Sequence, residues 1–203
     1  MVVVKIAIVA VLLTIGLCFF TNIRAKTEVV VVFIEPSKDS MRPLILAKRS
    51  EIVAQFFNIV PIQIFDASMP VGRKRGYNRS QRIYRVQVVW SDKMGAIGKT
   101  KGSKIALRGA NLERDIKTYE AQYPQLTQDE REYVAANVFM HELVHAIFNR
   151  NRLRSFLQHE GTGLMKGPPF SLKTFSVSES KDGLMPFSST TEKRLKSAVG
   201  TRF

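Results

Sequence analysis

Residues 127–149 are the stretch that most constrains the fold of this chain. Thr127 and Glu130 have the spacing of a capping box, which predicts that a helix starts at Thr127. The following residues, YVAANVFMHELVHAIF, are apolar on nearly every face of a helix that runs to about Asn149. Such a helix must be buried, so the rest of the domain has to pack around it.

Strand-like segments before this helix predict the sheet that it packs against. The segment 28–37 is rich in β-branched residues, and Pro61 makes the candidate strand at 59–70 marginal. Glycines at 95–102 predict a turn between the last two strands. The predicted elements are strands at 28–37, 59–70, 82–90 and 104–109, and helices at 40–58, 127–149 and 192–198.

This order of elements is typical of an α+β domain with a mixed, twisted sheet. A chain of 203 residues fits one domain with a tail. We expect an N-terminal leader at 1–25, a main domain at 26–170 that contains the buried helix, and a loop-rich C-terminal extension at 171–203. Ser, Thr, Lys, Gly and Pro are frequent in that last, irregular part.

The leader reads MVVVKIAIVAVLLTIGLCFFTNIRAK. Lys5 precedes an uncharged apolar run, and small Ala25 follows Arg24, a pattern typical of an export signal. The run is short for a membrane span, so we expect either a cleavable signal peptide ending near Ala25 or an N-terminal anchor. Both interpretations make the protein secreted or anchored at the extracytoplasmic face of a membrane. Cys18, the only cysteine, lies in this leader, so the exported part cannot form a disulfide.

All three histidines of the chain lie within 140–165, and two of them have the spacing of metal ligands. His141 and His145 are one helical turn apart, so both imidazoles can reach one ion. Glu142 lies about a quarter turn from His141, where its carboxylate can hold a metal-bound water without being a ligand. In this HExxH pattern the metal lowers the pKa of the water, and the glutamate takes its proton as the water attacks a carbonyl. The alternative interpretation is a pair of core histidines satisfied without a metal.

A catalytic zinc site usually has three protein ligands and an open fourth position. His159 lies 14 residues after His145, in a segment predicted to leave the helix, and a loop that turns back would bring it to the metal. Glu160 is the alternative third ligand, since a carboxylate can also complete such a site. We favour His159 because the third ligand of a related pattern is a histidine.

The sequence HELVH at 141–145, with a later histidine and the motif GTGLM, resembles the metzincin branch of zinc-dependent peptidases, and archaemetzincins and matrixins in particular. Those peptidases carry HExxHxxGxxH followed by a methionine turn beneath the metal. Phe148 and Asn151 stand where the family has its glycine and third histidine. Met165 is the expected methionine of the turn, and Met185, in KDGLMPFS, is the second candidate.

The resemblance covers about residues 82–170, and it implies a zincin-like fold and a zinc metalloendopeptidase that hydrolyses peptide or protein substrates. It also implies that residues 95–104 form the rim of the cleft, as a strand edge that pairs with an extended substrate. A plain hairpin is the alternative interpretation of that segment. The implied cofactor is Zn²⁺, with ligands His141, His145 and His159 and with Glu142 as the general base.

The charge of the chain leaves a second function open. A balance of 31 Lys and Arg against 17 Asp and Glu gives a net charge of +14, which favours an acidic partner. The alternative to an enzyme is a basic envelope or nucleic-acid binding protein whose zinc site is structural or degenerate, although a solvated loop is the simpler interpretation of its basic cluster. That cluster consists of Arg73, Lys74, Arg75, Arg79 and Arg82, with Tyr77 among them.

Overall fold

A computed structural model of the chain describes residues 28–68, 82–150, 159, 163–165 and 177–199. These residues form an α+β fold, as predicted, with a mixed five-stranded sheet and six helices. The elements are β1 (Glu28–Ile34), α1 (Met41–Ala47), α2 (Arg49–Phe56), β2 (Ile62–Asp66), β3 (Arg82–Trp90), β4 (Gly98–Lys101), β5 (Lys104–Leu107), α3 (Gly109–Glu120), α4 (Gln128–Arg150), α5 (Val177–Ser180) and α6 (Ser189–Val199).

The sheet has the strand order β2-β1-β3-β5-β4. Neighbouring strands are parallel except for β4, which runs antiparallel to β5 at the edge. β1 lies inside the sheet, and its run of β-branched residues is buried on both faces. Pro61 does not interrupt β2, because the strand begins at Ile62 and the carbonyl of Pro61 accepts a hydrogen bond from Val30 N at 2.9 Å.

The glycine-rich segment before β5 is a hairpin rather than a turn alone. β4 is a short strand whose buried and half-buried residues, Gly98 and Thr100, alternate with exposed lysines. Such a short polar strand lacks the apolar alternation that identifies strands in sequence. Gly102, at a φ of 60°, supplies the left-handed residue of the two-residue turn between Lys101 and Lys104.

Two helical features were not predicted. The expected helix at 40–58 is divided at Lys48, whose buried ammonium group is paired with Asp129 of α4. α3 was missed because its apolar stripe is narrow, with Leu112 and Ile116 as its buried apolar residues. Its first turn is also capped by Asp39, a residue 70 positions earlier in the sequence. The Asp39 Oδ2 atom accepts a hydrogen bond from Gly109 N at 2.9 Å.

The core lies between the sheet and α4, which is buried along most of its length. Residues 177–199, expected in a loop-rich extension with one helix at 192–198, form two helices that pack against α4 as part of the same core, and α6 contains the predicted helix. The Phe187 ring, for example, meets that of Phe56 edge-on at 4.8 Å between centroids. None of the six described helices is long and apolar enough to cross a membrane. The predicted leader at 1–25 lies outside the described residues.

Candidate metal centre

α4 places the HExxH residues inside the molecule. Its start is fixed by the predicted capping box, in which Thr127 N donates to Glu130 Oε2 at 2.7 Å and Glu130 N donates to Thr127 Oγ1 at 3.3 Å. From there the helix runs without interruption to Arg150. Its middle is buried, so His141 and Glu142 are enclosed, at 8% and 7% exposure, and cannot be ordinary solvated surface residues.

The three histidines predicted as ligands lie together. Nε2 of His145 is 3.0 Å from Nε2 of His141. The centroid of the His159 ring is 4.7 Å from that of His145 and 5.4 Å from that of His141. One nitrogen of each ring lies within 4.8 Å of the other two, so these side chains could hold one metal ion.

The tautomer of His141 follows from its second ring nitrogen. Nδ1 of His141 lies 2.9 Å from the carbonyl oxygen of Leu164, and a nitrogen that bonds to a carbonyl must donate. The proton is therefore on Nδ1, and the lone pair is on Nε2, which points toward His145. Burial, followed by the neighbouring His145, lowers the pKa of His141 to about 3. His141 is neutral near pH 7, the form in which imidazole binds metal ions.

Glu142 reaches away from its helix to the edge of the sheet. Its Oε2 atom lies 2.5 Å from Thr100 Oγ1 on β4, and its backbone carbonyl oxygen lies 3.0 Å from the same hydroxyl. Burial raises the pKa of Glu142 to about 7, and the hydrogen bond with Thr100 opposes that rise. A carboxyl group in this range can take up and release a proton near neutral pH.

Gly98 leaves the space that the Glu142 side chain occupies. A Cβ atom added at Gly98 would lie 2.7 Å from Glu142 Cγ and 2.8 Å from its Oε1. Real Cβ atoms essentially never approach other atoms this closely, so any side chain at position 98 would displace the carboxylate. The absence of a side chain at Gly98 and the hydroxyl of Thr100 together define the position of Glu142.

A second set of contacts joins α4 to the C-terminal residues. The side chain of Asn137, one turn before His141, is fully buried. Its Nδ2 atom donates to the carbonyls of Ser180 at 3.0 Å and Gly183 at 2.8 Å, and its Oδ1 accepts from Met185 N at 2.8 Å. One side chain thus satisfies three main-chain groups and fixes the segment 180–185 on α4.

This fixed segment continues to the histidine cluster. The carbonyl of Pro186, directly after Met185, accepts a hydrogen bond from Leu164 N at 3.1 Å. The carbonyl of Leu164 in turn accepts the bond from His141 Nδ1. The orientation of the His141 ring therefore depends on main chain that Asn137 holds in place.

Both candidate methionines lie near this connection. Met165 is buried in the core directly after Leu164, whereas Met185 is half-buried and held by Asn137. The carbonyl that contacts His141 belongs to Leu164, which directly precedes Met165. Met165 is therefore connected to the histidine cluster more directly than Met185 is. Glu160, Arg73, Lys74, Arg75 and Arg79 lie outside the described residues.

Four residues at this site could not be recognised from the sequence. Gly98 and Thr100 belong to a segment predicted as a turn, although it was expected at the rim of the cleft. Asn137 and Leu164 carry no pattern beyond their position near the histidines. A glycine and a hydroxyl residue two positions apart are too common in sequences for this pair to predict a contact with the glutamate of HExxH.

No family model matches this chain, and no curated protein or solved structure is significantly similar to it.

Proposed function

We propose that this protein is a zinc metallopeptidase that hydrolyses peptide bonds. His141, His145 and His159 hold the metal, and Glu142 is the general base. The observation that carries the proposal is the meeting of three imidazole nitrogens within 4.8 Å of one another, next in sequence to a buried carboxyl group.

The donor set fits zinc. Three neutral imidazoles with no thiolate are typical of catalytic zinc sites, which keep a fourth position for water or substrate. Zn–N bonds of about 2 Å in a tetrahedral site place ligand nitrogens about 3.3 Å apart. The 3.0 Å between Nε2 of His141 and Nε2 of His145 is close to that separation. Two core histidines satisfied by each other would not require a third imidazole at the same point.

The chemistry divides between the metal and the protein. Zinc at the three histidines would supply Lewis acidity, which lowers the pKa of a water molecule and polarises a peptide carbonyl. Glu142 accepts the proton of the attacking water and returns it to the departing amine. Thr100 engages Oε2, which leaves Oε1 as the carboxylate oxygen that we assign to proton uptake.

β4 supports a peptide as the substrate. The carbonyl of Ile97 accepts a hydrogen bond from Arg108 N, so the main-chain polar groups of Ile97 face β5. Along a strand, these groups face the two neighbouring sides alternately from one residue to the next. Gly98 and Thr100 therefore direct their main-chain groups outward, at the edge of the sheet and beside Glu142. An extended peptide can add to such an edge as a further strand.

The proposal includes the compartment and the domain limits. The export leader expected at 1–25 would place a zincin-like catalytic domain, 26–170, outside the cytoplasm, either released or held by its N-terminal anchor. Fractionation of cells that express the full chain, with and without protease treatment of intact cells, tests this location. Protection of the protein from external protease in intact cells would contradict it.

The test of the function combines metal content and hydrolysis. Purified protein is expected to contain close to one zinc per chain by mass spectrometry and to cleave members of a peptide library. His141→Ala and His159→Ala should lose metal and activity together. Glu142→Gln is the matched variant, because it preserves the size of the side chain and should retain zinc while activity falls by at least about 100-fold.

Three other results would contradict the proposal. Full hydrolysis by the metal-free protein would exclude a metallopeptidase. Zinc retention without cleavage of any peptide would indicate a structural or degenerate site. Zinc retention in His159→Ala with loss in a variant of Glu160 would assign the third ligand to the alternative residue.

A further inference from the structure

We propose that β4 makes this site selective for acidic peptide segments, with Lys99 and Lys101 as the residues that recognise them. This inference rests on the proposed peptidase function and deepens it by naming the substrate class. Both lysines are exposed, and they flank Thr100, the residue that contacts Glu142. The strand next to the general base therefore carries two cations on the side that does not face the helix.

The register of the sheet places further cations beside them. Lys99 pairs with Ala106, and Lys101 pairs with Lys104, so these side chains share one face of the sheet. Lys104 pairs in turn with Gln87 of β3, which puts Arg85, two residues earlier, on the same face. Arg85 and Lys104 are also exposed.

This face has no matching negative charge on the three strands. Within β3, β4 and β5, which the structure describes in full, no residue is acidic. Glu35 reaches the face from the end of β1, where its Oε1 accepts a hydrogen bond from Gln87 at 2.9 Å. Gln87 is two strands away from β4, so Glu35 does not lie between the lysines of the edge.

One cross-strand pair is unfavourable in the protein alone. Lys101 and Lys104 lie directly opposite each other, and like charges in this position destabilise a hairpin. A carboxylate from a bound strand would relieve that repulsion. The pairing therefore supports an anionic occupant at this end of β4.

The edge favours an extended peptide over other polyanions. Gly98 and Thr100 direct main-chain groups outward, whereas Lys99 and Lys101 alternate with them on one face. A peptide strand can bond to the former and place every second side chain opposite the latter. A nucleic acid would meet the lysines but has no amide groups in register with the main chain. Lys99 and Lys101 are two positions apart on one face of β4. A peptide with two acidic residues at the same separation can place one opposite each lysine.

The test compares two pools of octapeptides that are randomised among neutral residues. One pool carries Asp or Glu at alternate positions, and the other carries Asn or Gln there. The full chain, loaded with zinc, is expected to cleave the acidic pool roughly tenfold faster at low ionic strength, and the preference should shrink in 0.5 M salt. Lys99→Glu with Lys101→Glu should remove the preference or reverse it toward a third pool with alternate Lys.

A binding measurement accompanies the cleavage assay. In the Glu142→Gln background, fluorescence anisotropy with one labelled acidic octapeptide and its Asn/Gln counterpart should give a lower Kd for the acidic peptide. Lys193→Glu with Lys196→Glu is the matched control, because both lysines are exposed on α6 and their replacement changes the net charge as much as the double substitution in β4 does. That variant should keep the wild-type preference. Far-UV circular dichroism of each variant checks the fold. The comparison of acidic and neutral peptide pools on the wild-type protein needs no substitution.

The outcomes separate the inference from the function. Equal cleavage of the acidic and neutral pools by wild type would overturn the acidic selectivity and leave the peptidase in place. An acidic preference that survives in the double lysine variant would overturn the assignment to β4. Cleavage of no pool would overturn the proposed function, and this inference with it. Lysine variants that lose binding to a single-stranded oligonucleotide, with unchanged peptide preference, would assign the face to nucleic acid instead.

Discussion

At the residue scale, Glu142 is the side chain whose surroundings are most specific. It belongs to α4, but its polar contact comes from Thr100 on β4. The space that its side chain occupies is left by Gly98 on the same strand. Burial raises its pKa to about 7. A change in β4 can therefore disturb the proposed general base without altering any residue of the helix that carries the histidines.

Gly98→Ala is expected to lower peptidase activity by roughly 10- to 100-fold while zinc content is unchanged. The added methyl group would overlap Glu142 Cγ and its carboxylate, so the carboxylate must shift away from its position. A misplaced catalytic group commonly costs rates of this order. Steady-state kinetics and metal analysis on the same preparation measure the two effects.

Gly95→Ala is the control for this substitution. A Cβ atom at Gly95 would meet nothing within 4 Å, although the residue is only three positions earlier. Its activity should stay close to that of wild type. Equal activity of Gly98→Ala and Gly95→Ala would show that the position of the Glu142 carboxylate does not limit hydrolysis.

At the element scale, α4 is held from several sides by residues that other elements supply. The C-terminal segment reaches it through Asn137, and α1 and α2 reach it through Lys48. The ammonium group of Lys48 is buried between α2 and α4. Burial acts to lower its pKa, but its hydrogen bonds with Asp129 and Glu51 outweigh that effect, so the pKa is raised. The charge of Lys48 is thus retained inside the structure.

Asn137→Ala is expected to destabilise the protein by about 3 kcal/mol and to weaken zinc binding by roughly 10- to 100-fold. The substitution leaves one buried and two partly buried main-chain groups without their partner, and an unsatisfied buried group costs about 1–3 kcal/mol before relaxation. It also releases the segment that orients His141 through Leu164, and such outer contacts commonly change metal affinity by this amount. Urea unfolding and competition with a zinc chelator measure the two quantities.

Asn111→Ala separates the two consequences. Asn111 is also buried, and its Nδ2 atom donates to the carbonyls of Met94 and Ala96 at 2.9 and 2.8 Å. Its loss should reduce stability comparably without changing zinc affinity. A similar fall in zinc affinity for both variants would show that general loosening, rather than the connection to His141, causes the effect.

Asp66→Asn is expected to reduce the free energy of unfolding by about 1–2 kcal/mol at pH 7 and by progressively less as the pH falls below 3.8. Hydrogen bonds from Ser68 lower the pKa of Asp66, burial opposes them, and Arg42, 2.5 Å away, lowers the pKa further. A carboxyl group with a lowered pKa stabilises the fold above the usual value of 3.8, and this contribution is lost as the pH falls through the folded pKa.

Urea titrations of both proteins at pH 7, 4.5 and 2.5 measure this difference. Asp92→Asn serves as the comparison, because Asp92 is exposed and its substitution should stay within about 0.5 kcal/mol at each pH. A difference between wild type and Asp66→Asn that does not change with pH would contradict the role of the Asp66 charge.

At the scale of the whole molecule, the histidine cluster joins parts of the chain that a metal would tie together. His141 and His145 belong to α4, whereas His159 follows the end of the helix and lies beside them. The described residues contain no cysteine, so no disulfide stabilises the core that they form. A bound ion that contacts both segments should stabilise the native state by mass action.

Zinc is expected to raise the melting temperature by roughly 10 °C. At a free zinc concentration of 1,000 times Kd, the gain is about 4 kcal/mol. A domain of 150–250 residues shifts by about 2–4 °C for each kcal/mol. Differential scanning calorimetry with zinc and with EDTA measures the shift, and calcium should have no effect because it prefers oxygen ligands. A zinc-induced shift of the same size in His159→Ala would exclude that residue from the site.

Several features could be predicted from the amino-acid sequence: the buried helix, its capping box, the strands β1 and β3, and two imidazoles and a carboxyl group on one helical turn. These features follow from local spacing, because the geometry of a helix or strand fixes where residues three, four or two positions apart point. The folded structure was needed to establish that His159 lies beside His141 and His145, that Gly98 and Thr100 position Glu142, and that Asn137 links the C-terminal segment to the cluster. Those contacts join residues 14 to 48 positions apart. They depend on how the elements pack, which no periodicity in the sequence encodes.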